Sequence, residues 1–326
     1  MMKNNIEISR LAQAQKALHT VFNVDEPDEL SILTGGGSTA KMFKIKINKH
    51  YYVLRMMGLD QPLSDRNIQA ICAQYGSTLN IAPHCYYVDA HDGVMICDFI
   101  AQQTFTKELI LAKMPQLLNK LHYSENMPKP HCVIFPYMND FIEKLVVITP
   151  SQVLIDYLRQ IQGMMKVLSK HLELASCHND LNSENILYDG KQFYLIDFEA
   201  AGLEDPYFDL ATICQQNCFD ENEELTFLTS YLGRRPREAE LAKLMLMKQV
   251  SYCWHVVHFV QHAYLAGMMD FNDPIPSFKT WYEGRKQGKY SYETTRDLML
   301  YAMVLLQQSL NEMKLPAFSK AVKTLD

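Results

Sequence analysis

The chain has 326 residues, of which 48% are hydrophobic and 21% are charged, and its formal net charge is −6 at pH 7. This length exceeds a typical single core, so we expect two lobes or domains. The composition is that of a globular protein, and the negative charge argues against a dedicated nucleic-acid binder. The sequence shows neither a signal-peptide pattern nor a long uncharged apolar run, so we expect no membrane span and a cytoplasmic location.

Eight cysteines are scattered along the chain, and none of them form a CxxC pair. This pattern predicts reduced, mostly buried thiols rather than a zinc site.

The first hundred residues predict a small sheet-rich lobe. Helical spacing over 6–22 is followed by strand-like runs at 30–47 and 49–56. Between 41 and 47, apolar residues alternate with lysines, which is typical of a strand with one buried face. A last strand is expected over 94–100.

A helix is predicted over 64–76, begun by Ser64 or Asp65 and stopped at Gly76. From about residue 104 onward the pattern becomes mainly helical. One stretch of strand interrupts it, in HNDLNSENILYDGKQFYLIDFE (178–199).

This stretch predicts a β-hairpin around an Asp-Gly turn. If 186–189 pairs antiparallel with 193–197, Asn185 lies near Asp197, and Asp180 is one short loop upstream. Carboxylate and carboxamide oxygens are suitable ligands for Mg²⁺. The same residues are common in turns and caps, and the hairpin alone favours that simpler interpretation.

Two features of the first lobe favour the metal-site interpretation over the turn-and-cap interpretation. The glycine-rich segment LTGGGSTA (33–40) joins two strands, where glycines allow backbone N–H groups to approach a phosphate. Arg55 ends the apolar run YYVLR, where it either faces a ligand or an acidic residue or extends its charge to solvent. Glycine hairpin, strand cation, His-Asp-Asn loop and metal-type Asp follow one another in the order found in kinases.

These motifs resemble the choline/ethanolamine kinase and aminoglycoside phosphotransferase superfamily. CHNDLNSENIL is similar to its catalytic loop, YLIDFEAAGLEDPYFDLA to its metal-binding segment, and GGSTAKMFKI and YVLRMMG to its glycine loop and strand cation. The resemblance covers nearly the whole chain. It implies an α+β, two-lobed, protein-kinase-like fold, with a β-rich N-lobe over 1–100 and a mainly helical C-lobe over 101–326.

The resemblance also implies roles for individual residues. Asp180 is the expected catalytic base, Asn185 and Asp197 are expected to hold Mg²⁺ with help from Glu199, and His178 and Asp209 are expected to be structural. The expected ATP-binding residues are Gly36, Gly37, Ser38, Thr39, Arg55, Asp98 and Ile100.

The acceptor is expected to be a small-molecule alcohol. The short segment between Asp197 and Asp209 has no room for the activation segment of protein kinases. The expected acceptor-binding residues, by resemblance to choline kinases, are Trp254, Gln216, Tyr207 and Gln261. The chain departs from the pattern at four positions: Val257 replaces a second tryptophan, Gln216 and Gln69 replace acidic residues, and Ala40 replaces an asparagine of the glycine loop.

We therefore predict an ATP- and Mg²⁺-dependent small-molecule kinase, with choline or a related amino alcohol as the favoured acceptor. Thiamine, aminoglycosides and other small-molecule acceptors are alternatives within the same class. A nucleotide-binding protein without catalytic activity is the alternative from another class, because Gln69 removes an ion-pair partner.

Overall fold

The computed structural model describes residues 2, 6–33, 40–58, 63–124 and 134–326. The chain divides into two compact units, one made of 1–130 with 176–203 and the other of 131–175 with 204–326. The segment that carries the predicted catalytic loop and metal ligands therefore folds together with the N-terminal residues. The lobe division at residue 100 stays a prediction.

The first unit contains a five-stranded antiparallel sheet in the order β1-β2-β3-β5-β4. Its strands are β1 (Glu29–Leu33), β2 (Lys41–Ile47), β3 (His50–Met56), β4 (Cys85–Asp89) and β5 (Val94–Asp98). The helices of this unit are α1 (Ile8–Phe22), α2 (Leu63–Thr78) and α3 (Lys107–His122).

One face of this sheet is apolar, and the other carries both polar and apolar side chains. Phe43 and Ile45 of β2 are buried against Ala17 and Leu18 of α1, as the alternation in the sequence predicted. Arg55 lies on the opposite face. It pairs with Met42 of β2, and paired residues of antiparallel strands point to the same side of a pleated sheet. The sheet thus separates a hydrophobic core from a face with polar side chains.

Helix α2 continues through Gly76 to Thr78, so the prediction that it stops at Gly76 was wrong. Glycine is present there for a packing reason. A Cβ atom at this position would lie 2.9 Å from Cζ of Phe198 and 3.1 Å from Cβ of Ala82. The absent side chain lets α2 approach the segment that follows Asp197.

The segment 175–204, most of which belongs to the first unit, contains four short strands: β6 (Ala175–Cys177), β7 (Ile186–Tyr188), β8 (Phe193–Leu195) and β9 (Gly202–Glu204). Strands β7 and β8 form the predicted hairpin, and β6 pairs with β9. The turn between β7 and β8 is stabilised by Oδ1 of Asp189, which accepts from the backbone N–H groups of Lys191 and Gln192 at 2.7 and 2.8 Å. Gly190 has a φ of +94°, a conformation that glycine adopts without strain.

The second unit is helical. Its helices are α4 (Ile134–Ile148), α5 (Gln152–Leu168), α6 (Pro206–Gln216), α7 (Glu221–Leu232), α8 (Glu238–Leu265), α9 (Phe278–Lys286), α10 (Thr295–Met313) and α11 (Pro316–Leu325). Helix α8 is central, and it packs against α4, α5, α6, α10 and α11. Within the described ranges, every helix is too short or too polar to cross a membrane.

Seven of the eight cysteines lie among the described residues, and all seven are free thiols. Four of them, Cys72, Cys177, Cys214 and Cys253, are buried. Burial raises the pKa of the Cys72 thiol to about 12, so this group stays protonated near neutral pH.

Candidate active site

Asp180 follows β6 on a loop whose backbone is shaped by the residue before it. Asn179 has a φ of +65°, a left-handed conformation that asparagine tolerates better than most residues. Its side chain is buried, and Nδ2 donates to the carbonyl oxygen of Ala200 at 2.9 Å. Asn179, the residue before the predicted base, is therefore hydrogen-bonded to the segment that carries Asp197.

His178 makes a second attachment between the same two segments. Its ring is fully buried, and Nε2 lies 2.9 Å from the carbonyl oxygen of Ile196. Because a carbonyl oxygen only accepts, Nε2 carries the hydrogen. This contact supports the structural role expected of His178. The similar role of Asn179 was missed in the sequence, where it looked like an ordinary turn residue.

The Asp180 carboxylate is held by two side-chain amides. Nδ2 of Asn185 donates to its Oδ2 at 2.8 Å, and Nδ2 of Asn182 donates to its Oδ1 at 3.1 Å. The side chain is half-buried. A carboxylate has about four lone-pair sites, so two donors leave acceptor capacity for a substrate hydroxyl.

The β7–β8 hairpin positions Asn185 beside the segment of Asp197. Ile186 pairs with Leu195, and the backbone N–H of Ile196 donates to the carbonyl oxygen of Asn185 at 3.0 Å. Asn185 therefore lies opposite the residue that immediately precedes Asp197, as the predicted register requires. Asp197 itself has a φ of +63°.

Arg55 connects the sheet to the segment that carries Asp197 and Glu199. Its Nη2 lies 2.9 Å from Oδ1 of Asp197 and 2.8 Å from Oε1 of Glu199. The guanidinium is largely buried, which decides between the two interpretations of this strand cation: it faces acidic residues rather than solvent. Gln69 is buried on α2 with no hydrogen-bond partner at its Oε1.

The oxygen atoms of this site fit a divalent cation. One cationic nitrogen already lies within hydrogen-bond distance of both Asp197 and Glu199, so these carboxylates converge on a common point. The amide nitrogen of Asn185 is directed to Asp180, which leaves its amide oxygen for another partner. Carboxylate and amide oxygens are the ligand types that Mg²⁺ prefers.

The predicted nucleotide residues are only partly described. Gly36, Gly37, Ser38 and Thr39 lie outside the described residues. Asp98 ends β5, and its carboxylate accepts from the Tyr86 hydroxyl at 3.0 Å. Ile100 lies two residues further along the chain and is half-buried.

An aromatic pair lies beside Asp98 and was not predicted. Nζ of Lys44 is 4.2 Å from the ring centroids of both Tyr51 and Phe99. Lys44 and Tyr51 belong to the same face of the sheet as Arg55. This face thus offers cations and aromatic rings together.

The predicted acceptor residues belong to the second unit, where aromatic rings surround α8. Trp254 is half-buried in what we call the Trp254 ring group, with ring centroids 4.3 Å from His258, 5.6 Å from Tyr137 and 6.1 Å from Phe208. Gln261 lies two turns further along α8, on the same side as Trp254. Part of this group is open to solvent, since 38% of the Tyr137 surface is exposed.

Gln216 belongs to a different cluster, which we call the Tyr301 ring group. Its Nε2 donates to the Tyr301 hydroxyl at 3.3 Å. Tyr301 stacks on Trp281 with a centroid distance of 4.2 Å, and Tyr292 is 5.1 Å from it. The structure therefore places Gln216 and Trp254 in separate ring groups.

Tyr207 is also buried and already has an internal partner. Nζ of Lys243 lies 4.8 Å from the centroid of its ring, and the Asp205 side chain accepts from its backbone N–H at 3.0 Å. Burial raises the pKa of the Tyr207 hydroxyl, so this group is un-ionised near neutral pH.

Comparison with known proteins agrees with this geometry. Residues 145–244 match the phosphotransferase enzyme family. Protein LicA from Haemophilus influenzae is 24% identical over 256 residues, which cover 74% of this chain and 75% of that protein. The chain thus carries a phosphotransferase family domain, and its predicted resemblance is confirmed.

Solved structures show the same fold over nearly the whole chain. A choline/ethanolamine kinase family protein from Mesorhizobium loti matches with a TM-score of 0.71 and 22% identity, covering 97% of this chain and 99% of that one. Choline kinase LicA from Streptococcus pneumoniae matches with a TM-score of 0.62 and 18% identity, covering 93% and 98%. A spectinomycin phosphotransferase solved with ADP and spectinomycin matches with a TM-score of 0.56 and 14% identity, covering 91% and 98%.

These findings confirm the kinase-like fold, with its five-stranded sheet and helical remainder. The chain is therefore similar to small-molecule phosphotransferases: residues 145–244 match the phosphotransferase enzyme family, and the fold is shared with choline/ethanolamine kinases and a spectinomycin phosphotransferase.

Proposed function

We propose that the protein transfers the γ-phosphoryl group of ATP to the hydroxyl group of a small molecule, with choline as the preferred acceptor. The observation that carries the proposal is the Asp180 carboxylate, which two amides hold beside the segment of Asp197. A positioned carboxylate of this kind is the group that a hydroxyl acceptor needs as its proton acceptor.

The proposed step uses Asp180 as the base. The acceptor hydroxyl gives its proton to the Asp180 carboxylate while its oxygen forms a bond to the γ-phosphorus of ATP. The bond from that phosphorus to the bridging oxygen breaks, and ADP leaves with the electron pair. Arg55 is proposed to contact the phosphates, together with Gly36, Gly37, Ser38 and Thr39.

Asn185, Asp197 and Glu199 are proposed to hold Mg²⁺. When bound, this ion would neutralise negative charge on the phosphate oxygens. The base of the nucleotide is proposed to lie near Asp98 and Ile100, where the aromatic pair of Tyr51 and Phe99 offers stacking surfaces. The ADP-bound spectinomycin phosphotransferase of the same fold supports a nucleotide site.

The choline proposal has two supports. The Trp254 ring group offers aromatic faces of the kind that attract a quaternary ammonium group. Protein similarity points the same way, because a choline kinase is among the structures that share this fold. A cytoplasmic location is proposed with it, supported by the free thiols of the described residues.

The decisive experiment is an assay of ADP release over choline, ethanolamine, thiamine, homoserine and aminoglycosides. We expect the highest kcat/KM with choline, and Asp180→Ala should lower kcat by about 10²- to 10⁴-fold with little change in ATP affinity. ADP release with none of the acceptors would favour the non-catalytic alternative. A wild-type kcat in Asp180→Ala would remove Asp180 from the proposed role.

Asp197→Asn tests the metal site separately. Asparagine accepts the left-handed backbone of this position, so the substitution removes charge without adding backbone strain. We expect the Mg²⁺-dependent increase in nucleotide affinity to be lost. Unchanged Mg²⁺ dependence would place the metal elsewhere.

A further inference from the structure

We propose that Asn182 is a positioning residue that fixes the direction of the Asp180 carboxylate, in addition to capping the turn that follows. This proposal rests on the proposed role of Asp180 as the base. Asn182 looks like an ordinary cap in the sequence, but its side chain uses both ends of its amide.

The oxygen end of the Asn182 amide serves the backbone. Oδ1 accepts from the N–H groups of Glu184 and Asn185 at 2.9 and 3.2 Å, and so caps the 3-10 turn at Ser183–Asn185. This is the usual role of an asparagine at such a position. It needs an oxygen atom only, and serine or aspartate supplies one equally well.

The nitrogen end of the same amide serves Asp180. Nδ2 donates to Oδ1 of Asp180 at 3.1 Å, on the carboxylate oxygen that Asn185 does not use. The Asn185 amide nitrogen is shared, because it also lies 2.9 Å from the carbonyl oxygen of Asp180. Asn182 therefore supplies a second, separate restraint on the carboxylate.

Two restraints matter because the terminal torsion of an aspartate has a broad energy well. A single hydrogen bond leaves the carboxylate plane free to rotate, whereas one donor on each oxygen fixes it. A fixed plane keeps the remaining lone pairs directed at one place, and catalysis depends steeply on such alignment. Loss of the Asn182 donor should thus reduce turnover without weakening the binding of either substrate.

The test separates the two ends of the amide. Asn182→Ser keeps an oxygen for the cap and removes the donor, whereas Asn182→Ala removes both. With choline, or the best acceptor of the panel, we expect kcat to fall about 10- to 100-fold in Asn182→Ser, the usual worth of a hydrogen bond to a charged group. KM for both substrates and the melting temperature should stay close to wild type. Asn182→Ala should lose the same kcat and also melt at a lower temperature.

Two further variants make the result specific. Ser183→Ala, on the exposed part of the same turn, is the matched control and should keep the wild-type kcat. Asn182→Asp, whose carboxylate also keeps the cap, replaces Asn182→Ser if the serine variant melts early; its kcat should fall at least as far.

A double-mutant cycle with Asp180 identifies the route of the effect. Because Asn182 acts through Asp180, Asn182→Ser should cause no further loss of kcat in the Asp180→Ala background. A wild-type kcat in Asn182→Ser, or an equal loss in both backgrounds, overturns the proposal and leaves the role of Asp180 intact. A wild-type kcat in Asp180→Ala alone overturns the proposed function and this inference with it.

Discussion

The guanidinium of Arg55 and the carboxylate of Asp197 form an ion pair, with Nη2 2.9 Å from Oδ1. Glu199 shares the same nitrogen, so two carboxylates share one cation and keep an excess of negative charge. Side-chain exposure is 10% for Arg55 and 25% for Asp197, and a pair so poorly screened is stronger than a surface pair. Any Mg²⁺ ion at these carboxylates competes with Arg55 for the same oxygen atoms.

Replacing Arg55 should therefore make the protein more responsive to metal. Without the guanidinium, Asp197 and Glu199 repel each other, and a divalent cation relieves this repulsion. We expect Arg55→Ala to melt at a lower temperature than wild type without metal and to gain more from added Mg²⁺. If Arg55 also contacts phosphate, KM for ATP should rise about 10- to 100-fold.

Arg55→Lys is the matched control for charge. It keeps the positive charge but lacks the planar guanidinium whose Nη2 contacts both carboxylates, so its Mg²⁺ response should lie between those of wild type and Arg55→Ala. Thermal melting over a range of Mg²⁺ concentrations measures all three proteins. Equal Mg²⁺ responses in wild type and Arg55→Ala would contradict the competition.

The part of this site that the sequence predicted depends on local geometry. The Asp-Gly turn and the two flanking apolar runs define a hairpin register, and that register places Asn185 near Asp197. A short loop then limits the position of Asp180. These relations require only a few consecutive residues, so a single sequence contains them.

The part that it did not predict depends on contacts between distant segments. The sequence left Arg55 facing a ligand, an acidic residue or solvent, and its acidic partners follow from how the sheet meets the segment after β8. In the sequence Gly76 looked like a helix stop. In the structure its missing side chain leaves room for Phe198, a contact between distant segments that the sequence does not reveal. Strand β4 has no alternation of buried and exposed residues, so no pattern indicated it. The capping role of Asn182 is enough to explain an asparagine at this position, so nothing in the sequence indicated its contact with Asp180.

Two helical glycines should respond in opposite ways to alanine. In Gly76→Ala the new Cβ lies 2.9 Å from Phe198, so the ring beside Asp197 must move, and overpacking of this kind costs about 1–3 kcal/mol. In Gly163→Ala the Cβ meets nothing within 4 Å, so the reduced flexibility of the unfolded chain should stabilise α5 by about 0.5–1 kcal/mol.

Melting temperature and kcat measured for both variants decide the matter. Gly76→Ala should lower both, whereas Gly163→Ala should raise the melting temperature and leave kcat unchanged. The packing account of Gly76 fails if the two substitutions change stability in the same direction.

Glu240 should make the stability of the second unit depend on acid pH. The Arg234 guanidinium, which donates to its carboxylate, is the chief reason that the pKa of Glu240 lies far below its usual range; Arg237 adds further hydrogen bonds. A depressed folded-state pKa contributes stability above the unfolded pKa of about 4.3, and this contribution is lost as pH falls further. Glu240→Gln should therefore lower the melting temperature at pH 7, and by progressively less below about pH 4.

Glu238→Gln provides the matched control on the same turn of α8. Glu238 pairs with Lys320 on the surface, where an ion pair contributes little, so this variant should melt like wild type at both pH values. An equal effect of Glu240→Gln at pH 7 and at about pH 3.5 would mean that the ion pair is not the source of its stability.

The two ring groups of the second unit lead to a test of the acceptor. If choline binds against the Trp254 ring group, Trp254→Ala removes one aromatic face and should raise KM for choline by about 2- to 30-fold, the range of a cation–π contact. Gln216 lies in the Tyr301 ring group, where Gln216→Glu adds a carboxylate beside the Tyr301 hydroxyl. A choline site there should tighten, because a carboxylate attracts a partly desolvated cation more strongly than an amide does. Values of kcat/KM for choline in wild type and both variants thus show which ring group faces the ammonium group. Turnover of choline in none of the three proteins would exclude choline as the acceptor, while ADP release with another alcohol would keep the phosphotransferase assignment.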